Sequence, residues 1–378
     1  MAEKRFDTRS TDSQGTVLAP LDPKKFDVER YADYEADLLA KSDAFWQASQ
    51  GLAVYRRFRV PQVFAGGCKD MKDSLALQLA GLQASMDFKA DIPNFLEPWY
   101  GIGIAASAFG ATYVWEDDSA PAIAAPFTSV DQALQQEIVP IEQTEIGRHT
   151  LDMIEYFLEQ TRGKIPMSMT DTQSALNAAS FLIETNSFYM ELVDNPEGMK
   201  KLLSLITDLT LDFSRKQKEL IGDALVMPGH GFPSARCFEG MGMSTDVMLT
   251  ISDDLFKSFE VPCQEKLGNA FGGAVFHSCG NWSNKIDSVK SISNLLMVDG
   301  AFSSETDPDA NPVEPFENAF ADTGVIVNAR IVGDEETLVR QAGALWSAGS
   351  KLIITTYCPT AAEQKNVYES LKNLVQTR

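Results

Sequence analysis

The feature that most constrains the fold is a regular alternation of short apolar runs with amphipathic helical stretches. The last four apolar runs begin at residues 273, 295, 324 and 351, roughly 22 to 29 residues apart. This spacing suits one strand, one helix and two short loops. Eight such units predict an α/β protein, a (β/α)8 TIM barrel with an N-terminal helical extension. An open doubly wound sheet is compatible with the same alternation and stays the alternative.

The predicted strands are short runs rich in Val, Ile and Phe. They are residues 60–66, a region between 99 and 115, and residues 164–169, 224–229, 273–278, 295–302, 324–330 and 351–358. Ahead of them, the first 24 residues read as a polar arm and residues 26–49 as a charged helix. We therefore expect an N-terminal arm and helix in residues 1–50 and a barrel in residues 51–378.

The charge of the chain disfavours two classes of partner. With 32 Lys and Arg against 53 Asp and Glu, the net charge of −21 repels nucleic acid and anionic membrane surfaces. No run reaches the roughly 18 apolar residues of a membrane span, and "MAEKRFDTRS" lacks the apolar core of a secretion signal. We expect a cytoplasmic protein that binds neither nucleic acid nor membrane. The five scattered cysteines argue against a disulfide framework and leave thiols available as ligands.

The stretch "AVFHSCGNW", residues 274–282, is the strongest candidate for chemistry. His277 and Cys279 lie two residues apart where a buried strand should end, and Cys358 ends the last predicted strand. Active sites of parallel barrels are built at the carboxyl ends of the strands. One imidazole and two thiolates would form a metal site with its fourth position open. The alternative that spacing leaves open is a packed strand with an unreactive cysteine and a hydrogen-bonded histidine.

Five segments together resemble the uroporphyrinogen decarboxylase superfamily, and within it the cobalamin-dependent methyltransferases that carry an H-x-C…C zinc motif. The segments are "FHSCGN", "TTYCP", "EPWYGIG" (97–103), "DTQSALNAA" (171–179) and "GMGMSTD" (240–246). The resemblance runs from about residue 50 to the C-terminus. It implies a (β/α)8 barrel, Zn²⁺ held by His277, Cys279 and Cys358, and transfer of a methyl group from methylcobalamin to a small-molecule acceptor, a thiol or a pterin.

The position of the zinc site suggests further roles. Glu305, in "FSSETD", follows the strand after His277 and is a candidate fourth, displaceable ligand; a solvated side chain is the alternative. None of the three histidines has the D-x-H-x-x-G context of a cobalamin-binding signature. We therefore expect methylcobalamin to arrive on a partner corrinoid protein or free in solution, which calls for an open barrel mouth.

Four polar residues near predicted strand ends are candidates for substrate binding. Glu97 lies in "EPWYGIG", Asp171 and Gln173 lie in "MTDTQS", and His230 lies in "PGHGFPS". The "MTDTQS" loop faces the pocket in the resembling family, and His230 is a glycine-flanked residue at the predicted rim, so hydrogen bonds to substrate are expected. Capping of the next helix is an equal alternative for Asp171, and pairing with backbone is the alternative for His230.

Three other functions are weighed against methyl transfer. "GIGIAA" (101–106) spells a dinucleotide-binding pattern, but no βαβ unit with an acidic residue about 20 positions on follows it, so we interpret its glycines as close backbone packing. A metal-free tetrapyrrole decarboxylase would use an arginine-rich motif that "YRRFRVP" (55–61) does not match. A non-catalytic barrel that binds a corrinoid or tetrapyrrole would use zinc only structurally.

Overall fold

A parallel sheet forms the centre of the protein. The computed structural model describes residues 14–116 and 119–376. Six parallel strands follow the order β1-β8-β7-β6-β5-β4, and β2 and β3 form a separate antiparallel ribbon. The strands are β1 (Gly51–Arg56), β2 (Tyr113–Val114), β3 (Ala122–Ile123), β4 (Met241–Ser244), β5 (Ala274–His277), β6 (Leu295–Ala301), β7 (Ile326–Arg330) and β8 (Lys351–Thr356).

Three short segments extend this sheet beyond β1. Asp91 donates its backbone N–H to the carbonyl of Val54 in β1 at 2.8 Å. Leu96 then forms a parallel bridge with Met167, and Met167 forms another with Leu225. The parallel order therefore continues around the barrel in segments too short to be regular strands. The α/β barrel predicted from the sequence is confirmed.

Helices surround the sheet in the described residues. They are α1 (Val28–Gln47), α2 (Met71–Ser85), α3 (Val130–Leu134), α4 (Glu145–Thr161), α5 (Ala175–Leu182), α6 (Thr185–Asp194), α7 (Pro196–Ile221), α8 (Asp253–Phe259), α9 (Val261–Ala270), α10 (Ile286–Val289), α11 (Val313–Phe320), α12 (Glu335–Leu345) and α13 (Ala361–Gln376). The charged helix expected over residues 26–49 corresponds to α1. Within the described ranges, no helix is both long enough and apolar enough to span a membrane.

Two strand assignments near the start of the barrel are wrong. Residues 60–66 form short 3₁₀ turns, Pro61–Phe64 and Gly66–Cys68, instead of the first strand. The first strand is β1, which ends in a charged residue. Arg56 is nevertheless 2% exposed, so a buried strand end was not evident from the sequence. The region between 99 and 115 contributes only the two residues of β2. Gly103 there packs so closely that an added Cβ would lie 2.6 Å from the Tyr113 ring, which agrees with a packing role for the "GIGIAA" glycines.

Side-chain alternation along the strands divides the core into two parts. The side chains on the inward face of each strand, called the inner parity, pack together inside the barrel: Ala53, Tyr55, Val275, Met297, Ile326 and Ile353. Residues of the other parity, including Val54, Phe276, Val298, Val327 and Ile354, pack beneath the helices. Because strand side chains alternate with a period of two, His277 and Asp299 share the inner parity of Val275 and Met297. The fold therefore directs polar side chains into the barrel where β5 and β6 end.

An ion pair fastens α1 to the loop that follows residue 227. Arg236 donates from Nε to Glu35 Oε1 at 2.7 Å and from Nη2 to Oε2 at 2.9 Å. Glu35 is 3% exposed. A two-pronged pair around a buried carboxylate is the geometry in which an ion pair contributes to stability, since loss of one partner leaves the other desolvated and uncompensated.

Replacement of Glu35 should therefore destabilise the protein. We expect Glu35→Gln to lower the free energy of unfolding by about 2 to 3 kcal/mol, measured by urea denaturation. The control is Glu29→Gln on the same helix, which removes exposed ion pairs with Arg162 and Lys164 and should leave the midpoint unchanged. Equal effects of the two substitutions would show that the Glu35 pair does not hold α1 in place.

Glu260 is a second buried carboxyl group, at the junction of α5 and α9. Its Oε2 accepts the backbone N–H of Leu176 at 3.0 Å, and its Oε1 accepts the Gln264 side-chain amide at 3.1 Å. Glu260 is fully buried. Burial raises its pKa to about 8, although the hydrogen bonds from Leu176, Gln264 and Ser174 oppose the rise.

This raised pKa predicts that Glu260 makes stability fall as pH rises. Between the usual glutamate pKa and about 8, the unfolded chain has lost the proton that the folded protein retains. In this range the free energy of unfolding of the wild type falls by up to about 1.4 kcal/mol per pH unit, and the fall levels off above about pH 8. Urea unfolding of Glu260→Gln should show a stability advantage over wild type that grows from pH 5 to pH 8. The exposed Glu219→Gln controls for loss of charge; a constant difference between Glu260→Gln and wild type would contradict the assignment.

Candidate metal centre

Three potential ligands converge at the carboxyl ends of β4 and β5. Ser244 of β4 pairs in register with His277 of β5. Two residues further on, the backbone N–H of Cys279 donates to Asp246 Oδ1 at 2.7 Å. One ligand atom from each of Asp246, His277 and Cys279 lies within 4.8 Å of the others. The strand register therefore brings a carboxylate, an imidazole and a thiol to one point.

The imidazole is oriented by a buried carboxylate on the next strand. His277 Nδ1 lies 2.6 Å from Asp299 Oδ2, and Arg330 Nε donates to the same oxygen at 3.0 Å. Asn328 donates to Asp299 Oδ1 at 2.5 Å and accepts from Thr355 Oγ1 at 2.6 Å. The Nε2 atom of the ring faces Cys279 Sγ at 3.4 Å. A carboxylate behind a histidine is the usual second support of a metal-ligating imidazole.

Charge in this network outweighs burial. Burial alone would raise the pKa of Asp299, but Arg330 and His277 hold that pKa well below its usual range. Burial would lower the pKa of His277, whereas its electrostatic interaction with Cys279 and its hydrogen bond to Asp299 raise that pKa well above its usual value. A metal ion must therefore displace a proton from the imidazole, and acid should weaken metal binding.

The loop that carries Cys279 is fixed by side chains from the segment after β6. Gly280 adopts a φ of +69° and donates its backbone N–H to Asp307 Oδ2 at 2.9 Å. Asn311 donates to the carbonyl of Gly280 at 3.1 Å and accepts the backbone N–H of Trp282 at 2.9 Å. Cys279 itself is exposed. A fixed and accessible thiol beside an oriented imidazole suits a site that must admit a substrate.

The donor set fits zinc. Imidazole nitrogen, thiolate sulfur and carboxylate oxygen are all zinc ligands. Bonds of about 2.0 Å to nitrogen and 2.3 Å to sulfur place those atoms about 3.6 Å apart in a tetrahedral site. The 3.4 Å between His277 Nε2 and Cys279 Sγ is close to that distance. Three protein ligands would leave one coordination position for a substrate.

Cys358 lies outside the group formed by Asp246, His277 and Cys279. It follows β8 with the outward parity of Ile354, and it packs in the core beneath the helices. Its carbonyl accepts Arg56 Nε at 2.9 Å, and burial raises the pKa of its thiol to about 11. Its role as a zinc ligand stays a prediction.

Glu305 is also outside that group. It is exposed and accepts a hydrogen bond from Ser304 Oγ at 2.9 Å. The neighbouring Asp307, by contrast, is the residue that holds Gly280. The role of Glu305 as a displaceable ligand stays a prediction.

Three of the four predicted substrate-binding residues contact one another, and the fourth, Glu97, pairs with Arg57, which packs against the His230 turn. His230 Nδ1 lies 3.3 Å from Asp171 Oδ2, and the backbone N–H of Gln173 donates to Asp171 Oδ1 at 2.9 Å. Glu97 instead lies 3.6 Å from Arg57. Their roles in substrate binding stay predictions.

Sequence reasoning missed three residues of the centre. Asp246 depends on the register of β4 and β5, because it lies two positions beyond β4, a strand that the sequence analysis did not predict. Asp299 and Arg330 gave weaker signals, since each stands inside or at the end of an apolar strand. For Asp299 and Arg330, the sequence signal was a charged residue on the inward face of a strand close to its carboxyl end, where barrels place functional groups.

The chain is similar to known proteins in family and in fold. A family model described as uroporphyrinogen decarboxylase (URO-D) matches residues 45–304. Among solved structures, a methyltransferase from Methanosarcina mazei superposes with a TM-score of 0.59 over 90% of this chain and 91% of that one. The two sequences are 12% identical, so this likeness shows a shared fold. No curated protein sequence gives a significant match.

The carboxylate behind His277 should control metal affinity. We expect Asp299→Asn to weaken Zn²⁺ binding about 10- to 100-fold, because the imidazole loses the group that orients it and increases its basicity. Competition with a chromophoric chelator measures the affinity, and circular dichroism checks the fold. The exposed Asp287→Asn on α10 is the control. Unchanged affinity in Asp299→Asn would mean that His277 does not bind the metal.

Proposed function

Because this chain belongs to the uroporphyrinogen decarboxylase family, we propose that it is a zinc-dependent methyltransferase. It would move a methyl group from methylcobalamin, delivered by a partner corrinoid protein, to a thiol or pterin acceptor. The observation that carries the proposal is the convergence of Asp246, His277 and Cys279 at the barrel mouth, with His277 held by Asp299.

The chemistry of this donor set supports activation of an acceptor. Zn²⁺ bound there would stabilise the anionic form of a coordinated thiol and so supply a nucleophile near neutral pH. Asp299 and Arg330 keep the imidazole in one tautomer and one orientation. Asp307 and Asn311 hold the cysteine loop against movement. The residues of the chain therefore position the acceptor, and the reactive methyl group comes with the corrinoid.

The proposal has two candidates for the third protein ligand. Cys358 is the residue that the H-x-C…C resemblance implies. Asp246 is the residue whose carboxylate lies beside His277 and Cys279. Ligand exchange between the two would require Cys358 to turn from its packed position toward the barrel interior. Zinc affinity of single variants decides between them.

Arginines at the barrel mouth keep a tetrapyrrole decarboxylase as the second candidate. Arg57 and Arg59 follow β1 and are half-buried, and the pKa of Arg59 is lowered by burial and by the charge of Arg330. Cations gathered in this way suit a substrate with several carboxylates. Arg57, however, is already paired with Glu97, and Arg56 donates to the backbone carbonyl of Cys358.

Metal analysis and a methyl-transfer assay test the function together. We expect the purified protein to bind one zinc ion per chain and to demethylate methylcobalamin in the presence of a thiol or a pterin. His277→Ala should abolish tight zinc binding and lower turnover by at least about 100-fold. Protein without metal that decarboxylates a porphyrinogen would establish the second candidate, and zinc without turnover of either kind would indicate a non-catalytic binding barrel.

Matched variants in the same assay identify the ligand. If Cys358 is the third ligand, Cys358→Ala should lower zinc affinity by at least tenfold while Asp246→Asn changes it little. If Asp246→Asn instead lowers zinc affinity more than Cys358→Ala does, the third ligand is the Asp246 carboxylate. The buried Cys263→Ala controls for loss of a packed thiol, because Cys263 donates to the Phe259 carbonyl within α9.

A further inference from the structure

A second polar group lies across one phenyl ring from the metal centre. The Phe232 ring centroid is 6.1 Å from that of His230 and 6.1 Å from that of His277. On the His230 side, the imidazole Nδ1 is 3.3 Å from the Asp171 carboxylate. The Asp171 side chain is 1% exposed and that of His230 is 26% exposed. A buried carboxylate thus stands behind an imidazole that solvent and a substrate can reach.

The backbone holds His230 in place at a conformational cost. His230 has a φ of +43° between Gly229 at +80° and Gly231 at +70°. Phe232 N–H donates to the Gly229 carbonyl at 2.9 Å, which closes the turn. An added Cβ at Gly231 would lie 2.2 Å from the Arg57 guanidinium, so the turn packs directly against that side chain. A non-glycine residue in the left-handed region is unfavourable and persists where the surroundings enforce it.

A second strained residue contacts the same carboxylate. Gln173 has a φ of +59° and is one of four non-glycine residues with positive φ in the described ranges. Its backbone N–H donates to Asp171 Oδ1 at 2.9 Å, and its side-chain amide donates to Oδ2. Strain on both sides of one buried carboxylate is typical of a functional arrangement rather than of plain packing.

We propose that Asp171 and His230 form a proton-accepting dyad for the methyl acceptor. This inference rests on the proposed methyl transfer and assigns it a general base. Asp171 would orient the ring and stabilise the imidazolium, and His230 Nε2 would take the proton. The ligand is a small molecule with an ionisable S–H or N–H group, bound between His230 and the metal centre beside Phe232.

The transfer balances in atoms and electrons. The acceptor X–H gives its proton to His230 Nε2, and the X lone pair forms the X–C bond to the methyl carbon. The carbon–cobalt bond of the substrate methylcobalamin breaks, and its electron pair stays on cobalt, which is reduced from Co(III) to Co(I). The imidazolium beside Asp171 then releases the proton to solvent, because part of the His230 side chain is exposed.

Two other charged pairs lie near the His230 turn, Arg57 with Glu97 and His277 with Asp299. Arg57 packs against Gly231 and is paired with Glu97. This pair places one cation and one anion on the His230 side of the barrel mouth. His277 lies across Phe232 and is paired with Asp299. Neither Arg57 nor His277 can act as the base, since Arg57 remains protonated and His277 faces Cys279. His230 is left as the imidazole placed to take a proton.

Proton counting on acceptor binding tests the dyad without turnover. Isothermal titration of a thiol acceptor, at pH 7.5 in two buffers of different ionisation enthalpy, gives the number of protons released. His230→Gln should release more protons on binding than wild type, by up to one, because only wild type has an imidazole placed to take up the acceptor's proton. His149→Gln is the matched control, since the His149 ring stacks on Tyr100. Thermal unfolding and zinc content should be unchanged in both variants.

Turnover provides the second readout. His230→Gln should lower kcat by about 100-fold or more with little change in KM, and its rate should recover as pH rises and bulk hydroxide replaces the base. Proton release and turnover equal to wild type in His230→Gln would overturn the dyad while leaving the methyltransferase intact. Smaller proton release in wild type than in His230→Gln, without methyl transfer, would support the dyad and refute the proposed function. Failure of wild type to bind any thiol or pterin would overturn both.

Discussion

The arrangement at the barrel mouth depends on one buried carboxylate, Asp299. Removing a carboxylate from water is costly, and here Arg330, Asn328 and His277 offset that cost by direct contact. The register of the sheet makes this possible, because Asp299 pairs with His277 on one side and with Asn328 on the other. The inner positions just below are apolar, so the barrel changes from a packed interior to a charged layer within two residues. That layer fixes the imidazole that any metal chemistry requires.

Asp299 and Asp171 are buried carboxylates beside two histidines, on the two sides of Phe232. Asp299 forms a hydrogen bond with His277 Nδ1, and His277 Nε2 faces a thiol. Asp171 lies 3.3 Å from His230 Nδ1, an ion-pair distance without hydrogen-bond geometry among the described residues. Under the proposal, His277 binds the cation and His230 accepts the proton. A nucleophile formed between them would lose its proton on one side and have its charge stabilised on the other.

The sequence predicts the second half of the barrel well and the first half poorly, for a physical reason. Strands β5 to β8 are largely buried on both faces and mainly apolar, with most of their polar residues toward the carboxyl ends, close to the pattern expected of central parallel strands. Strand β1 ends in arginine, and Leu96 lies outside every predicted strand. Met167 and Leu225 lie in the predicted strands 164–169 and 224–229, but each of these segments forms only isolated bridges. The H-x-C pair could be found because strand ends carry function in barrels. Its neighbours could not, because Asp246 depends on inter-strand register and the packing of Cys358 on side-chain parity.

X-ray absorption at the zinc edge of the purified protein tests the central claim most directly, because it reports which atoms surround the metal. The account predicts one zinc ion per chain with nitrogen at about 2.0 Å and sulfur at about 2.3 Å in four-coordinate geometry. Addition of a thiol acceptor should add one sulfur scatterer. A protein that binds no zinc, or zinc surrounded only by oxygen atoms, would contradict the metal centre and the methyl transfer proposed from it.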